Sequence, residues 1–179
     1  MNKINKIKLK KINGWRTNAK GDLIMKNLLT ASQVKLGNVF LATNCKGEEV
    51  IRRVVGGTFG TVTKYFTLDT QDKLKSNARE TIEEVLEGYE IKAVSVQNFV
   101  VSNYTAIDPE EIENFKRGDV LVCTVNGETV YRELVGGKQF DTTAWFAIDP
   151  VTGERKSKTT YADSNEVAEQ YDITLVLRA

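Results

Sequence analysis

The chain has 179 residues, 41% of them hydrophobic, and a formal net charge of +1. That hydrophobic content supports packed cores and excludes a disordered chain, while no apolar run approaches the roughly 20 residues needed to span a bilayer. Histidine is missing altogether, which removes the commonest general base, the commonest metal ligand, and both Ser-His-Asp and Cys-His sites.

In chain order, residues 1–29 come first as an expected basic arm. Lys3, Lys6, Lys8, Lys10, Lys11, Arg16, Lys20 and Lys26 stand in the first 30 residues against one acid, Asp22. This segment carries +7; the remainder carries 17 bases and 23 acids, or −6. Its alternation is partial (Ile7-Lys8-Leu9-Lys10), so an extended segment ordered by a partner is expected. A basic arm on an acidic body points to an anionic partner, either nucleic acid or an acidic protein surface. Lys3, Lys6, Lys8, Lys10, Lys11, Arg16 and Lys20 are the candidate partner-binding residues. No apolar stretch follows the basic start, so a secretory signal is not expected, and the chain reads as made in a cytoplasm.

The next segment, 30–98, reads as a first β unit. Gly37-Asn38 launches the run Val39–Thr43, which turns at Asn44–Gly47 into a return strand, Glu49–Val55. Gly56-Gly57 is expected to break that strand, and Val62–Leu68 follows with Tyr65 and Phe66. Ile82, Val85 and Leu86 are spaced for one face of a short helix that Gly88 would stop. A final run, Lys92–Val96, closes the unit. The linker Tyr104–Phe115 contains Asp108-Pro109-Glu110-Glu111, a good helix start with Asp as cap and Pro at the first position.

Residues 99–179 repeat the pattern. Lys116, Gly118, Val120 and Thr124 match Lys35, Gly37, Val39 and Thr43. One residue is deleted at the first turn, where Asn126-Gly127 is the favoured type I′ pair. Gly127, Glu128, Val130 and Arg132 then match Gly47, Glu48, Val50 and Arg52. Val135, Gly136, Gly137, Phe146 and Asp149 match Val55, Gly56, Gly57, Phe66 and Asp69. A later block, Glu166 to Ile173, runs parallel to Glu84 to Ile91. Two blocks in the same order argue for duplication. The second copy's insertion, 151–170, reads as an extended hairpin-like loop with at most one helical turn. The expected fold is mainly β: two tandem copies of a small β-barrel or sandwich-like domain, a short helix in the first copy, and the basic N-terminal arm.

Candidate chemistry is sparse. Cys45 and Cys123 occupy unmatched places in the repeats and lack metal-binding spacing, so no zinc site, cofactor or catalytic set is expected. Gly56-Gly57-Thr58-Phe59-Gly60 lacks the lysine and hydroxyl of a phosphate loop and reads as a glycine-rich β turn. Arg117-Gly118-Asp119 reads as a turn. Asp69 with Asp149, and Arg52 with Arg132, recur in both copies and read as turn caps or salt bridges before ligand groups. Of Tyr65, Phe66, Trp145 and Phe146, one member of each pair is expected in the core and the other on the second face. A base-stacking platform is the alternative.

Gly118-Asp119-Val120-Leu121-Val122 followed by Val130-Tyr131-Arg132-Glu133 resembles the β core of the LexA-like and signal peptidase families. Gly37-Asn38-Val39 followed by Val50-Ile51-Arg52-Arg53-Val54-Val55-Gly56 resembles it too. That resemblance implies a lysine base in the second run, yet Arg52 or Ile51, and Tyr131 or Arg132, hold the place. Arginine stays protonated and cannot serve. The implied role is therefore a degenerate, regulatory one. The overall style, β domains plus an extended arm, resembles the auxiliary, decoration or connector proteins of tailed-phage particles. That resemblance implies a non-enzymatic virion component that binds the major capsid protein or another virion protein through its arm and sheet edges, with self-contacts in a lattice and no membrane. The other alternative is a nucleic-acid-binding module whose arm lies along phosphates.

Overall fold

The computed structural model describes residues 30–139 and 142–179, together with the backbone of two short strands, β1 (Arg16–Thr17) and β2 (Leu23–Ile24), which pair with each other. The fold is mainly β, with two larger sheets and two short α-helices. The first sheet is built from β3 (Asn38–Thr43), β4 (Glu49–Phe59), β5 (Val62–Leu68) and β6 (Glu90–Val96), in the order β5-β4-β3-β6. Strands β7 (Thr105–Ile107), β8 (Val120–Val125), β9 (Glu128–Gln139), β10 (Thr142–Ile148) and β11 (Ile173–Arg178) form the second, in the order β10-β9-β8-β11-β7. Both sheets are open, and apart from β7 their strand orders correspond.

Turn chemistry explains the hairpins. Asn126 and Gly127 both take positive φ, 52° and 82°, as a type I′ turn requires. Asn44 holds the first copy's longer turn by accepting the Lys46 and Glu48 amides on its side chain. The correspondence extends to an irregularity: the register slips between Leu41 and Ala42 where β3 meets β6, and at the matching place between Ile173 and Leu175 where β8 meets β11. One extra residue, Lys92 or Thr174, bulges out in each.

The glycine pairs differ from the sequence expectation. They do not end their strands: β4 runs on to Phe59 and β9 to Gln139. Gly56 and Gly136 take φ of 133° and 126°, and a Cβ at either would overlap a backbone carbonyl of the adjacent strand. Each strand thus keeps its ladder through a positive-φ position that only glycine permits.

The helices also extend the expectation. The first, α1 (Ile82–Leu86), has the anticipated residues, is capped by Thr81 and is followed by Gly88 at φ 84°. The second half carries a counterpart, α2 (Ser164–Ala168), within the segment read as a hairpin-like loop with at most one helical turn; Asp163 caps it by accepting the Glu166 amide. Only one short turn forms, too brief for an apolar period to show. Part of the linker is a strand as well: β7 pairs with the end of β11, and Pro109–Glu111 after it is a single 3-10 turn capped by Asp108.

Packing places these elements in four layers. Phe40, Ala42, Val54 and Ile91 form a core under Leu86 of α1, and Leu121, Leu134 and Val176 form one with Val167 and Ala168 of α2. The opposite faces of the two sheets meet each other through Val55, Phe66, Leu68, Val135, Phe146 and Ile148. Each sheet is thereby covered by a helix on one side and its neighbour on the other.

Candidate functional site

The densest constellation of charge lies where the two sheets meet. Arg53 in β4 and Glu133 in β9 are 3% and 4% exposed, and the Arg53 Nη1 donates to Glu133 Oε2 at 2.8 Å. The second guanidinium nitrogen donates to the Pro150 carbonyl at 2.8 Å. Both residues occupy the same position in their repeats, one before Val54 and Leu134. The Phe66 and Phe146 rings, likewise equivalent, stack at 5.1 Å.

The surrounding backbone contacts are reciprocal. The Gly56 amide donates to the Gly153 carbonyl, and the equivalent Gly136 amide donates to the Asp72 carbonyl. Gly153 and Asp72 sit at matching places in their turns, with φ of 71° and 58°. Like positions facing each other on an axis, with swapped pairs around it, is the geometry of an isologous two-fold interface.

Asp72 shares this junction. Burial, and then the neighbouring Glu133 carboxylate, push its carboxyl up to about 7 against the opposing pull of Arg53. Tyr104 is raised by burial and by the same carboxylates. Arg53 and Glu133 are held by pairing with each other, and no serine or cysteine belongs to the group. The cluster is suited to locking two sheets in register.

The other sequence candidates resolve locally. Asp69 accepts the Gln71 and Lys73 amides, and Asp149 accepts those of Val151 and Thr152, so both are turn caps. Asp69 also pairs with Lys75 at 3.0 Å. Arg52 and Arg132 each donate to the carbonyl of the residue before them, Ile51 and Tyr131. Asp119 of the Arg-Gly-Asp tripeptide is buried and bound bidentately by Arg178 at 2.7 and 2.6 Å, which closes it to an outside partner. Phe66 and Phe146 are core; Trp145 is half-buried beneath the Arg117 guanidinium, whose centre lies 5.4 Å from the ring. Cys45 is exposed and Cys123 buried, both free; burial pushes the Cys123 thiol up to about 11, so it is inert.

Two shallow depressions mark the surface. One of about 350 Å³ is lined by Leu36, Tyr65 and Glu80 to Glu83, and one of about 300 Å³ by Tyr131, Arg132, Asp149, Pro150 and Lys156. Among the described residues no group of three or more Cys, Asp or Glu could hold a metal ion, and no helix is long and apolar enough to cross a membrane.

Lys3, Lys6, Lys8, Lys10, Lys11 and Lys20 lie outside the described residues. Arg16 falls in β1, of which only the backbone is described. The junction pair escaped sequence reasoning because Arg53 and Glu133 align as a mismatch. The one available signal was a charged residue at an inward position of each second strand. No known protein family, curated protein or solved structure matches this chain.

Proposed function

We propose that the chain is a duplicated β unit serving as a non-enzymatic structural protein of a virus particle. In this reading residues 30–98 and 99–179 are the two copies, and residues 1–29 are the basic arm. It attaches to a capsid or connector lattice through the arm and its sheet edges, with the major capsid protein and copies of itself as partners. The observation that carries this reading is the combination of a +7 segment with a −6 body whose charged cluster is spent on internal cohesion. A body of that kind offers shape and edges, and its recognition chemistry is concentrated in the arm.

The test is sedimentation of the source material after nuclease treatment, with blotting for this chain. Stoichiometric travel with a large particle is the expected result. Residence in the soluble fraction, or release from the heavy fraction when nucleic acid is digested, contradicts it. The second outcome favours the reading in which the eight bases lie along phosphates; that reading requires binding that weakens steeply with salt and is lost on deleting residues 1–28.

A further inference from the structure

The contacts that join the two halves come in swapped pairs. The Gly56 amide donates to the Gly153 carbonyl, and the Gly136 amide to the Asp72 carbonyl. The turns seat in the same reciprocal way. A Cβ on Gly37, ahead of β3, would strike the Thr152 carbonyl, and one on Gly118, ahead of β8, would lie 3.4 Å from Asp72 Oδ2. Val55, Phe66 and Leu68 share one core with their counterparts Val135, Phe146 and Ile148. A surface of this kind is self-complementary in shape and in backbone bonding, and on those terms alone a first half could pair with another first half.

Charge removes that freedom. On the axis stand Arg53 of the first half and Glu133 of the second, both buried and bonded at 2.8 Å. Two first halves would bring two Arg53 guanidiniums into the same enclosure, and two second halves would bring two Glu133 carboxylates. Like charges buried together are strongly disfavoured. The pair therefore acts as an address: a first half closes on a second half and on nothing else of its own kind. The address does not specify which chain supplies that second half.

A short piece of chain makes that choice. β6 ends at Val96, and Phe99 already belongs to the second half, where it packs on Val120, Val122 and Leu177 with its ring 5.5 Å from Tyr104 and 5.2 Å from Tyr131. Gln97 and Asn98 form the hinge between them, and Asn98 is exposed. We propose that two copies of this chain pair reciprocally, the first half of each closing on the second half of the other through an Arg53–Glu133 contact. The exchange occupies the joining face of all four halves, so it stops at a closed dimer and leaves no such face for a third copy. It is a property of the chain itself and holds inside or outside a virus particle.

The test mixes two full-length variants, Arg53→Glu and Glu133→Arg. Alone, each has like charges at its junction in any arrangement, carboxylates in the first and guanidiniums in the second. In an exchanged pair of the two, both junctions carry opposite charges again, and one of them is the native contact. Refolded from urea as an equimolar mixture, they are expected to form a mixed dimer by native mass spectrometry, about 10-fold or more in excess of the dimer in either variant alone. Its urea midpoint is expected above that of either variant. A mixture that contains only what the separate variants contain overturns the proposal, and so does one in which both chains stay unfolded. A second readout acts on the hinge of the parent chain. Deleting Gln97 and Asn98 denies the two halves of one chain the span they need and is expected to convert the protein to a dimer, whereas a Gly/Ser insertion between them is expected to keep it monomeric. A shortened chain that stays monomeric overturns the proposal.

Discussion

At the scale of the residue, the junction is governed by two carboxyls of opposite standing. Glu133 is paired with Arg53 at 2.8 Å and both are buried, so removing one partner strands the other. Glu133→Ala is expected to cost ~3–5 kcal/mol in urea unfolding. Asp72 behaves in the opposite way. Its folded value, about 7, lies above the ordinary 3.8, so the folded state holds a proton that the unfolded state has released. Stability from this group therefore falls as pH rises from about 4 to about 7 and is level outside that window. Asp72→Asn keeps the positive φ, which asparagine tolerates. It is expected to match the parent at pH 4 and exceed it at pH 8; a variant equal to the parent at both would show that Asp72 is an ordinary exposed carboxylate.

At the scale of the element, glycine positions separate into two kinds. Gly136 takes φ 126° in β9, where a Cβ would strike a strand carbonyl, whereas Gly47 takes φ 78° in a turn with nothing within 4 Å of a new Cβ. Gly136→Ala is expected to lower stability by more than ~2 kcal/mol and Gly47→Ala by ~1 kcal/mol, compared by thermal melting. The hairpins were readable from sequence because Asn126-Gly127 dictates its own geometry. The continuation of β4 past Gly56 was not, because Gly56 is bonded by Gly153 and Arg155 of the other half, about 100 residues away. Strand β7 was hidden for a similar reason. Thr105-Ala106-Ile107 has no strand pattern of its own and is held by the edge of β11.

At the scale of the whole molecule, one buried layer is shared. Val55, Phe66 and Leu68 come from one half and Val135, Phe146 and Ile148 from the other, so neither sheet completes its core alone. Unfolding is accordingly expected as a single transition, with Trp145 fluorescence and far-ultraviolet dichroism giving the same urea midpoint; two separated midpoints would mean that the halves unfold independently. The matched glycines, apolar residues and spacing were legible in the sequence, and the strand orders of the two sheets correspond apart from β7. The way the halves meet was not, since an axis of pseudo-symmetry leaves its trace in contacts, and the sequence marks it only as Arg53 aligned with Glu133. The charge of the N-terminal segment was legible, whereas Lys3, Lys6, Lys8, Lys10, Lys11 and Lys20 lie outside the described residues and Arg16 is described only in its backbone.

Arg53 and Glu133 are equivalent positions that face each other across that axis. The direct test is to exchange them, Arg53→Glu with Glu133→Arg, and to compare urea stability with each single change. Either single change leaves two like charges buried together, and each is expected to cost at least ~3 kcal/mol. In the double variant the same two charges face each other with their positions exchanged. It is expected to recover more than half of the larger single loss. A double variant whose loss equals the sum of the two singles would show that the positions are independent, and would contradict the internal two-fold arrangement.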